Sequence, residues 1–237
     1  MPEQITLYGN KVFSVFSHRV SIALKEAGAE HKEYVIDTHS HKPTWYSEKV
    51  NPITRKIPCI TYGGPDTDPA DPSPESHKIH ESLVISEFIA DLYPDAHLVP
   101  SDPLQRANMR LFIALWEQQG FPAFWSFLTG TGSTEAFLGV FEALQARLAP
   151  SGFAVGQFSL ADIAVAPFVL RTLVLVEHEI GKYPLGDGKK LLDAMKEPKF
   201  ARMAKYIEDL TAYPSVRDTW AEDAFLAGAK NPAMQRN

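Results

Sequence analysis

Two short stretches of this chain are suited to holding a small peptide: Lys56-Ile57-Pro58-Cys59-Ile60 and Glu81-Ser82-Leu83. Proline tolerates a cis peptide bond far better than other residues, so Ile57-Pro58, opening an apolar run, is a candidate cis bond. A cis turn at the start of a strand leaves the Ile57 N–H and C=O without a strand partner, and a ligand's own backbone can satisfy them. Ser82 stands where a helix should begin; its hydroxyl and the free N–H groups of a first helical turn can hold a carboxylate. Glu81, beside it, can hold an ammonium. The set fits a molecule with a peptide backbone, a free amino group and a free carboxylate.

Such a site needs a scaffold, and the surrounding pattern predicts one. Ile5 and Leu7 alternate with polar neighbours, as a short strand does. Phe16, Val20, Ala23, Leu24 and Ala27 follow helical spacing, and Gly28 supplies the stop. Tyr34-Val35-Ile36 reads as a second strand, Pro58 to Thr61 as a third, and Lys78 to His80 as a short fourth. From Ser82, apolar residues at 84, 85, 88, 89 and 92 predict an amphipathic helix ending at Tyr93-Pro94. The order β-α-β, a connection, then β-β-α is what a thioredoxin-like domain requires, a small mixed sheet with helical cover. Gly63 to Pro74 holds four prolines and three aspartates and reads as a solvated surface loop.

Pro94 to Pro103 reads as a linker, after which helical periodicity takes over. Leu104, Ala107, Leu111, Leu115 and Gln119 mark one face of a long helix; Phe137, Val140, Phe141, Leu144 and Leu148 mark the next. Ser159 and Asp162 form a capping pair, with Phe158 and Ile163 at the positions of a hydrophobic staple. Phe200, Met203, Ile207 and Leu210 mark a further helix opened by Pro198, and Pro214-Ser215-Val216 starts a last one. No internal repeat is present.

With Phe13-Ser14-Val15-Phe16-Ser17-His18-Arg19-Val20 and Lys42-Pro43-Thr44-Trp45, the chain resembles the cytosolic glutathione transferases, and within them the omega-like group. The resemblance runs the whole length. It implies an α+β thioredoxin-like domain over residues 1–93, a linker over 94–103 and an all-α helical-bundle domain over 104–237. It implies glutathione as co-substrate, and glutathione is a ligand of the kind described above. Phe16 would pack beside the thiol, Ile57 would pair with the cysteinyl unit, and Glu81 and Ser82 would hold the γ-glutamyl end. Lys42 resembles the lysine that meets the glycyl carboxylate; an exposed lysine in a polar loop is the other reading. Relative to omega patterns, one extra residue lies between Asn51-Pro52 and Pro58. The capping pair at Ser159 resembles the motif that starts the family's central helix, a folding role. A homodimer in the cytoplasm is also implied.

A thioredoxin-like domain usually places its reactive sulfur at the start of the first helix, where free N–H groups lower a thiol's pKa. Here that turn reads Ser14-Val15-Phe16-Ser17, a Ser-x-x-Ser, which excludes disulfide exchange by the protein's own thiols. Omega-like enzymes typically carry cysteine where Ser14 stands. The departure points away from thiol transfer and towards a hydroxyl that donates a hydrogen bond to the glutathione sulfur. Each pKa unit of lowering corresponds to about 1.4 kcal/mol. Pure helix capping is the alternative reading of Ser14, and both roles can coexist. Ser17 is the competing serine, with a packing role as its plainer reading.

In relatives, the helices holding Phe121 to Leu128 and the segment from Ser159 line the acceptor site. Phe124, Trp125, Phe127, Phe168 and Arg171 are the corresponding candidates, in a pocket that would favour flat, apolar, aromatic molecules. Aromatics at helical spacing are also what a core contains.

Other features carry less. Cys59, the single cysteine, rules out an intrachain disulfide and reads as a buried core thiol. His39-Ser40-His41 lacks a Cys or carboxylate to complete a metal site, and His77 and His80 would face opposite ways on a strand. Glu177-His178-Glu179 reads as a solvated helical stretch, and Gly186-Asp187-Gly188-Lys189-Lys190 as a turn.

The 237 residues, 45% hydrophobic and 22% charged, are those of an ordinary globular protein. A net charge of −6 without a Lys/Arg cluster argues against nucleic acid. Apolar runs fall short of a membrane span, and the N-terminus has no secretory pattern. The expected function is a glutathione transferase that activates the thiol for attack on small aromatic electrophiles or peroxides. A non-catalytic carrier of apolar aromatic molecules (a ligandin) is the alternative, and a regulatory protein on the same fold is a third.

Overall fold

The structure, a computed structural model, describes residues 3–37 and 41–231. The chain divides into two compact units, the first ending at Leu98 and the second beginning at Val99.

The first unit holds β1 (Ile5–Gly9), α1 (Val15–Glu26), β2 (Lys32–Val35), β3 (Cys59–Tyr62), β4 (His77–His80) and α2 (Ser82–Leu92). The sheet order is β2-β1-β3-β4, with β1 parallel to β2 and the other pairs antiparallel. This is the thioredoxin-like layout expected from the sequence. Register sets Leu7 opposite Ile60 and Ile60 opposite Ile79, so strand alternation gives these three one face. Gly9 shares that face and lies against α1: a Cβ there would stand 2.9 Å from Ser17 Oγ. Tyr8 and Cys59 pair on the opposite face and join a core with Ile36, Tyr46 and Val50. Part of that cover is a π-helical turn at Tyr46–Val50, for which the sequence offers no periodic signal. Trp45, just before it, meets Tyr34 edge-on at 5.3 Å.

The proline- and aspartate-rich segment is not the free loop its composition suggests. Its tip is exposed, yet Tyr8 Oη donates to the Pro69 carbonyl at 2.8 Å and Gln4 Nε2 to the Gly64 carbonyl at 2.8 Å. Ser73 and Ser76 are buried, and Lys78 Nζ donates to both their carbonyls. The segment is irregular because proline cannot enter a ladder, but side chains of the sheet still anchor its backbone.

The second unit is helical: α3 (Pro103–Leu115), a π turn (Trp116–Gly120), α4 (Phe121–Leu128), α5 (Thr134–Gln145), α6 (Leu160–Glu177), α7 (Asp187–Ala194), α8 (Ala201–Ala212), α9 (Pro214–Thr219) and α10 (Glu222–Ala229). At Gly120 a Cβ would collide with the Trp116 ring, so the glycine makes room for a fully buried indole. α6 is buried almost throughout. Its capping box forms as the sequence suggests, and the Asp162 carboxylate also accepts from the Ala154 N–H and the Tyr206 hydroxyl, each at 2.9 Å.

Three expectations fail here. Gly186 to Lys190 is not an isolated turn but the start of α7. Glu179 does not extend α6; it sits at φ 51, and its carboxylate accepts from the Gly186 N–H at 3.1 Å and the Lys189 N–H at 3.0 Å. The acid thereby satisfies donors left free at the α7 N-terminus. The helix from Pro214 is also not the last, since α10 follows it with Phe225 buried. Among the described residues, no helix is long and apolar enough to cross a membrane. His39 and Ser40 lie outside the described residues.

Candidate functional site

Ser14 is the N-cap of α1, in extended conformation at φ −107 and ψ 112. Its Oγ accepts from the Ser17 N–H at 3.1 Å. That bond uses a lone pair of the hydroxyl and leaves its proton to donate elsewhere, so capping does not compete with contact to a ligand. Ser17 is fully buried with its hydroxyl turned towards Gly9, which removes it from any surface a ligand can reach.

The sequence-predicted residues Phe16, Ile57, Glu81 and Ser82 come together around a cavity of about 110 Å³, with Thr54, Lys56 and Pro58 completing the wall. Phe16 lies on the first turn of α1, two residues past Ser14. The Ile57-Pro58 bond is cis. Among the described residues, the Ile57 N–H and C=O have no hydrogen-bond partner. Ser82 is the first residue of α2 and is buried; its Oγ accepts from Arg19 Nη1 at 3.4 Å. Glu81 precedes it at φ 72 and ψ 114 with its side chain exposed, its carboxylate 3.6 Å from His80 Nδ1. A positive φ on glutamate is a costly conformation that tends to mark functional sites. It sets an acceptor carboxylate beside the start of a helix, an arrangement chemically able to receive an ammonium and a carboxylate. Lys42 is half-buried in the irregular stretch before Trp45 and is not part of the cavity wall.

Sequence reasoning missed Thr54 and the groups that hold the loop before Ile57. Asn51, buried, accepts from the Thr54 N–H at 3.1 Å and donates Nδ2 to Thr54 Oγ1 at 2.7 Å and to the Lys56 carbonyl at 2.9 Å. The Tyr46 hydroxyl donates to that carbonyl at 2.6 Å. Arg55 takes a left-handed conformation, φ 57, to complete the bend. An Asn-Pro start to a loop is a recognisable turn signal. The tyrosine partner is not, because it lies on a π-helical turn.

Cys59 is fully buried, and burial pushes its thiol up to about 12. It is a core group and not a nucleophile.

On the second unit, Phe124, Phe127 and Phe168 are buried within the unit's own aromatic core. Phe124 meets Phe168 edge-on at 5.3 Å, and Phe127 stacks on Tyr183 at 4.6 Å. Trp125, 59% exposed, is the residue of the set that offers surface. Arg171 is buried, donates Nη1 to the Pro167 carbonyl at 2.8 Å and lies over the Trp220 and Phe225 rings at 4.9 and 5.3 Å. Burial pushes its guanidinium down to about 9. Among the described residues, no cluster of three or more His, Cys, Asp or Glu is arranged to hold a metal ion.

Residues 13–92 match the sequence model of the glutathione S-transferase N-terminal domain. The chain is 47% identical to glutathione transferase Omega 1C from Trametes versicolor, covering 96% of this chain and 95% of that one, with a TM-score of 0.92. Glutathione transferase Omega 2S from the same organism, solved in complex with 2,4-dihydroxybenzophenone, is 43% identical over 96% of this chain and 98% of that one, with a TM-score of 0.90. A probable maleylacetoacetate isomerase of Caenorhabditis elegans is 27% identical over 88% of this chain and 85% of its own length. A cis-proline turn, an acidic residue at positive φ opening α2, and relatives of this similarity along nearly the full length lead to one conclusion: the chain belongs to the glutathione transferase family, in its omega-like group.

Proposed function

We propose that this protein is a serine-type glutathione transferase in which Ser14 donates a hydrogen bond to the sulfur of bound glutathione. The bound thiol releases its proton to solvent, and the thiolate is stabilised by the Ser14 O–H and the N-terminal end of α1. The thiolate then attacks an electrophilic carbon, and the leaving group departs with its electron pair. With a peroxide, the thiolate attacks one oxygen, the O–O bond breaks and the other oxygen leaves as an alcohol or water after taking a proton; a second glutathione thiol then attacks the resulting sulfenic sulfur, releasing water and forming glutathione disulfide. The Ile57 backbone would hold the cysteinyl unit, Phe16 would pack beside the sulfur, Glu81 and Ser82 would hold the γ-glutamyl end, and Lys42 would meet the glycyl carboxylate.

The observation that carries this reading is the convergence of Phe16, Ile57, Glu81 and Ser82 on one cavity, with Ser14 capping the helix that supplies Phe16. The family's usual cysteine is replaced by a hydroxyl, which favours conjugation over thiol transfer. The proposal includes a homodimer working in the cytoplasm.

The test is steady-state kinetics of wild type and Ser14→Ala with glutathione and an aromatic electrophile. Loss of one charge-assisted hydrogen bond, roughly 1.5–3 kcal/mol, should raise the pKa of the bound thiol and lower kcat/KM at neutral pH about tenfold to hundredfold. Unchanged turnover with an unchanged pH profile would sink the serine role.

A second reading, a carrier of apolar aromatic molecules, draws support from the exposed Trp125 and from the benzophenone bound by the Trametes relative. Of the candidate acceptor residues, Trp125 would meet the ligand, with Phe124, Phe127, Phe168 and Arg171 supporting the surface around it. Binding of 2,4-dihydroxybenzophenone that survives Ser14→Ala, with negligible conjugation, favours the carrier over the enzyme.

A further inference from the structure

The second unit contains a cavity of about 180 Å³ among α5, α6, α7 and α8. Its walls are apolar, with Phe141, Val169, Val176, Leu191 and Ile207 among them. Thr172 of α6 also lines it and is buried, 5% exposed. Threonines within helices usually donate to the carbonyl four residues back. Thr211 of α8 and Thr219 of α9 do so here, at 2.9 and 2.7 Å, as does Thr129 at the end of α4, at 2.8 Å. Thr172 does not: among the described residues its hydroxyl has no hydrogen-bond partner. Lys196, the charged residue of the lining, is paired with Asp193 at 3.4 Å. One unsatisfied hydroxyl therefore stands in an otherwise apolar chamber.

From this we infer a second binding site, separate from the glutathione-holding cavity of the first unit, that takes a single aromatic ring bearing one hydroxyl, a phenol. An apolar cavity of about 150 Å³ suffices for benzene, so the volume admits one substituted ring. The Thr172 hydroxyl opens onto the cavity rather than being sealed in the core, so a ligand can reach it, and a phenolic O–H would provide it with a partner. Apolar ring faces suit the Phe141, Val169 and Ile207 walls. Met195, also in the lining, is a flexible side chain that can adapt to substituents.

The test is calorimetric titration of the full chain with phenol and with toluene, which share a ring and differ in the hydroxyl. Wild type should bind phenol about fivefold more tightly than toluene. The near-isosteric Thr172→Val should erase that preference by weakening phenol alone. Ala204→Phe, which adds bulk at an exposed position of the rim, should weaken both ligands at least about tenfold while the melting temperature holds. A crystal soaked in phenol should show its oxygen within hydrogen-bond distance of Thr172 Oγ1. Phenol binding indifferent to both substitutions, a soaked ring elsewhere, or no binding by wild type would overturn the site. None of these outcomes depends on Ser14 or on glutathione, so the proposal stands or falls apart from the transferase reading.

Discussion

The Tyr46 hydroxyl donates to the Lys56 carbonyl at 2.6 Å, across ten residues of chain. Asn51 reaches the same oxygen at 2.9 Å, so one carbonyl is fixed by two buried side chains immediately before Ile57. Burial pushes the Tyr46 phenol upward, which keeps it a donor throughout the neutral range. The two donors orient the Lys56–Ile57 peptide and hence the edge offered to a ligand's backbone. Tyr46→Phe should cost about 1 kcal/mol of stability in a denaturant titration. It should also raise KM for glutathione about threefold to tenfold, with kcat within about twofold. A variant that loses stability but keeps its KM would show that the tyrosine serves the core alone.

Asp162 couples folding to pH. Burial raises its carboxyl to about 6, opposed by hydrogen bonds from Ala154, Ser159 and Tyr206. The folded state therefore holds a proton that an unfolded chain releases near pH 4. The contribution to stability is fully present below that pH and declines as pH rises through about 6, by roughly 3 kcal/mol at most. In Asp162→Asn this component of the pH dependence should vanish. Its amide would also set a donor against the Ser159 N–H, or against the Ala154 N–H and the Tyr206 hydroxyl, for a loss of about 2–4 kcal/mol. Melting temperatures of both proteins between pH 4 and 7 measure the difference, and parallel curves would refute it.

The segment from Gly63 to Pro74 separates two kinds of anchor. The Lys32–Asp66 and Lys49–Asp71 pairs are exposed, at 2.5 and 2.8 Å, and water and salt screen such pairs until they contribute little. The Tyr8–Pro69 bond starts from a buried ring. Tyr8→Phe should therefore destabilise by about 1 kcal/mol in equilibrium urea unfolding, whereas Asp71→Asn should leave the urea midpoint where it is. Hydrogen exchange in this segment should accelerate in the first variant and not in the second. Equal shifts in both would show that the exposed pairs hold the segment as firmly as the buried ring.

These anchors show where the sequence is legible and where it is not. The strands, α1, α2 and the Ser159 capping box follow from periodicity and caps, which are local. Ile57-Pro58 and Glu81-Ser82 are legible because a proline opening an apolar strand and an acid-serine pair at a helix start are local patterns, although either could have been purely structural. The π turn at Tyr46, the docking of Pro69 on Tyr8, and the capping of α7 by Glu179 depend on partners distant in sequence or on the path of an irregular chain. In the aromatic set from Phe124 to Arg171, the residue types are equally suited to a core and to a ligand pocket. Burial of Phe124, Phe127 and Phe168 beside the exposed Trp125 separates them only once the helices are in place.

Ser14→Cys supplies the final prediction. A thiol at the N-cap of α1 sits at the positive end of the helix dipole, where Ser14 now accepts the Ser17 N–H. Its pKa should fall below the usual value of about 8.5, by about one unit or more. The variant should then form a mixed disulfide with glutathione when offered glutathione disulfide: the thiolate attacks one sulfur, and glutathione leaves as its own thiolate. Conjugation of aromatic electrophiles should fall, since the hydroxyl proposed to stabilise the bound thiolate is gone. Intact mass spectrometry and a thiol-exchange assay read the two effects. Cys59 is the internal control, because its buried thiol, at about 12, should stay unmodified throughout. A Ser14→Cys protein that neither reacts with the disulfide nor loses conjugation would place the sulfur of glutathione away from the start of α1.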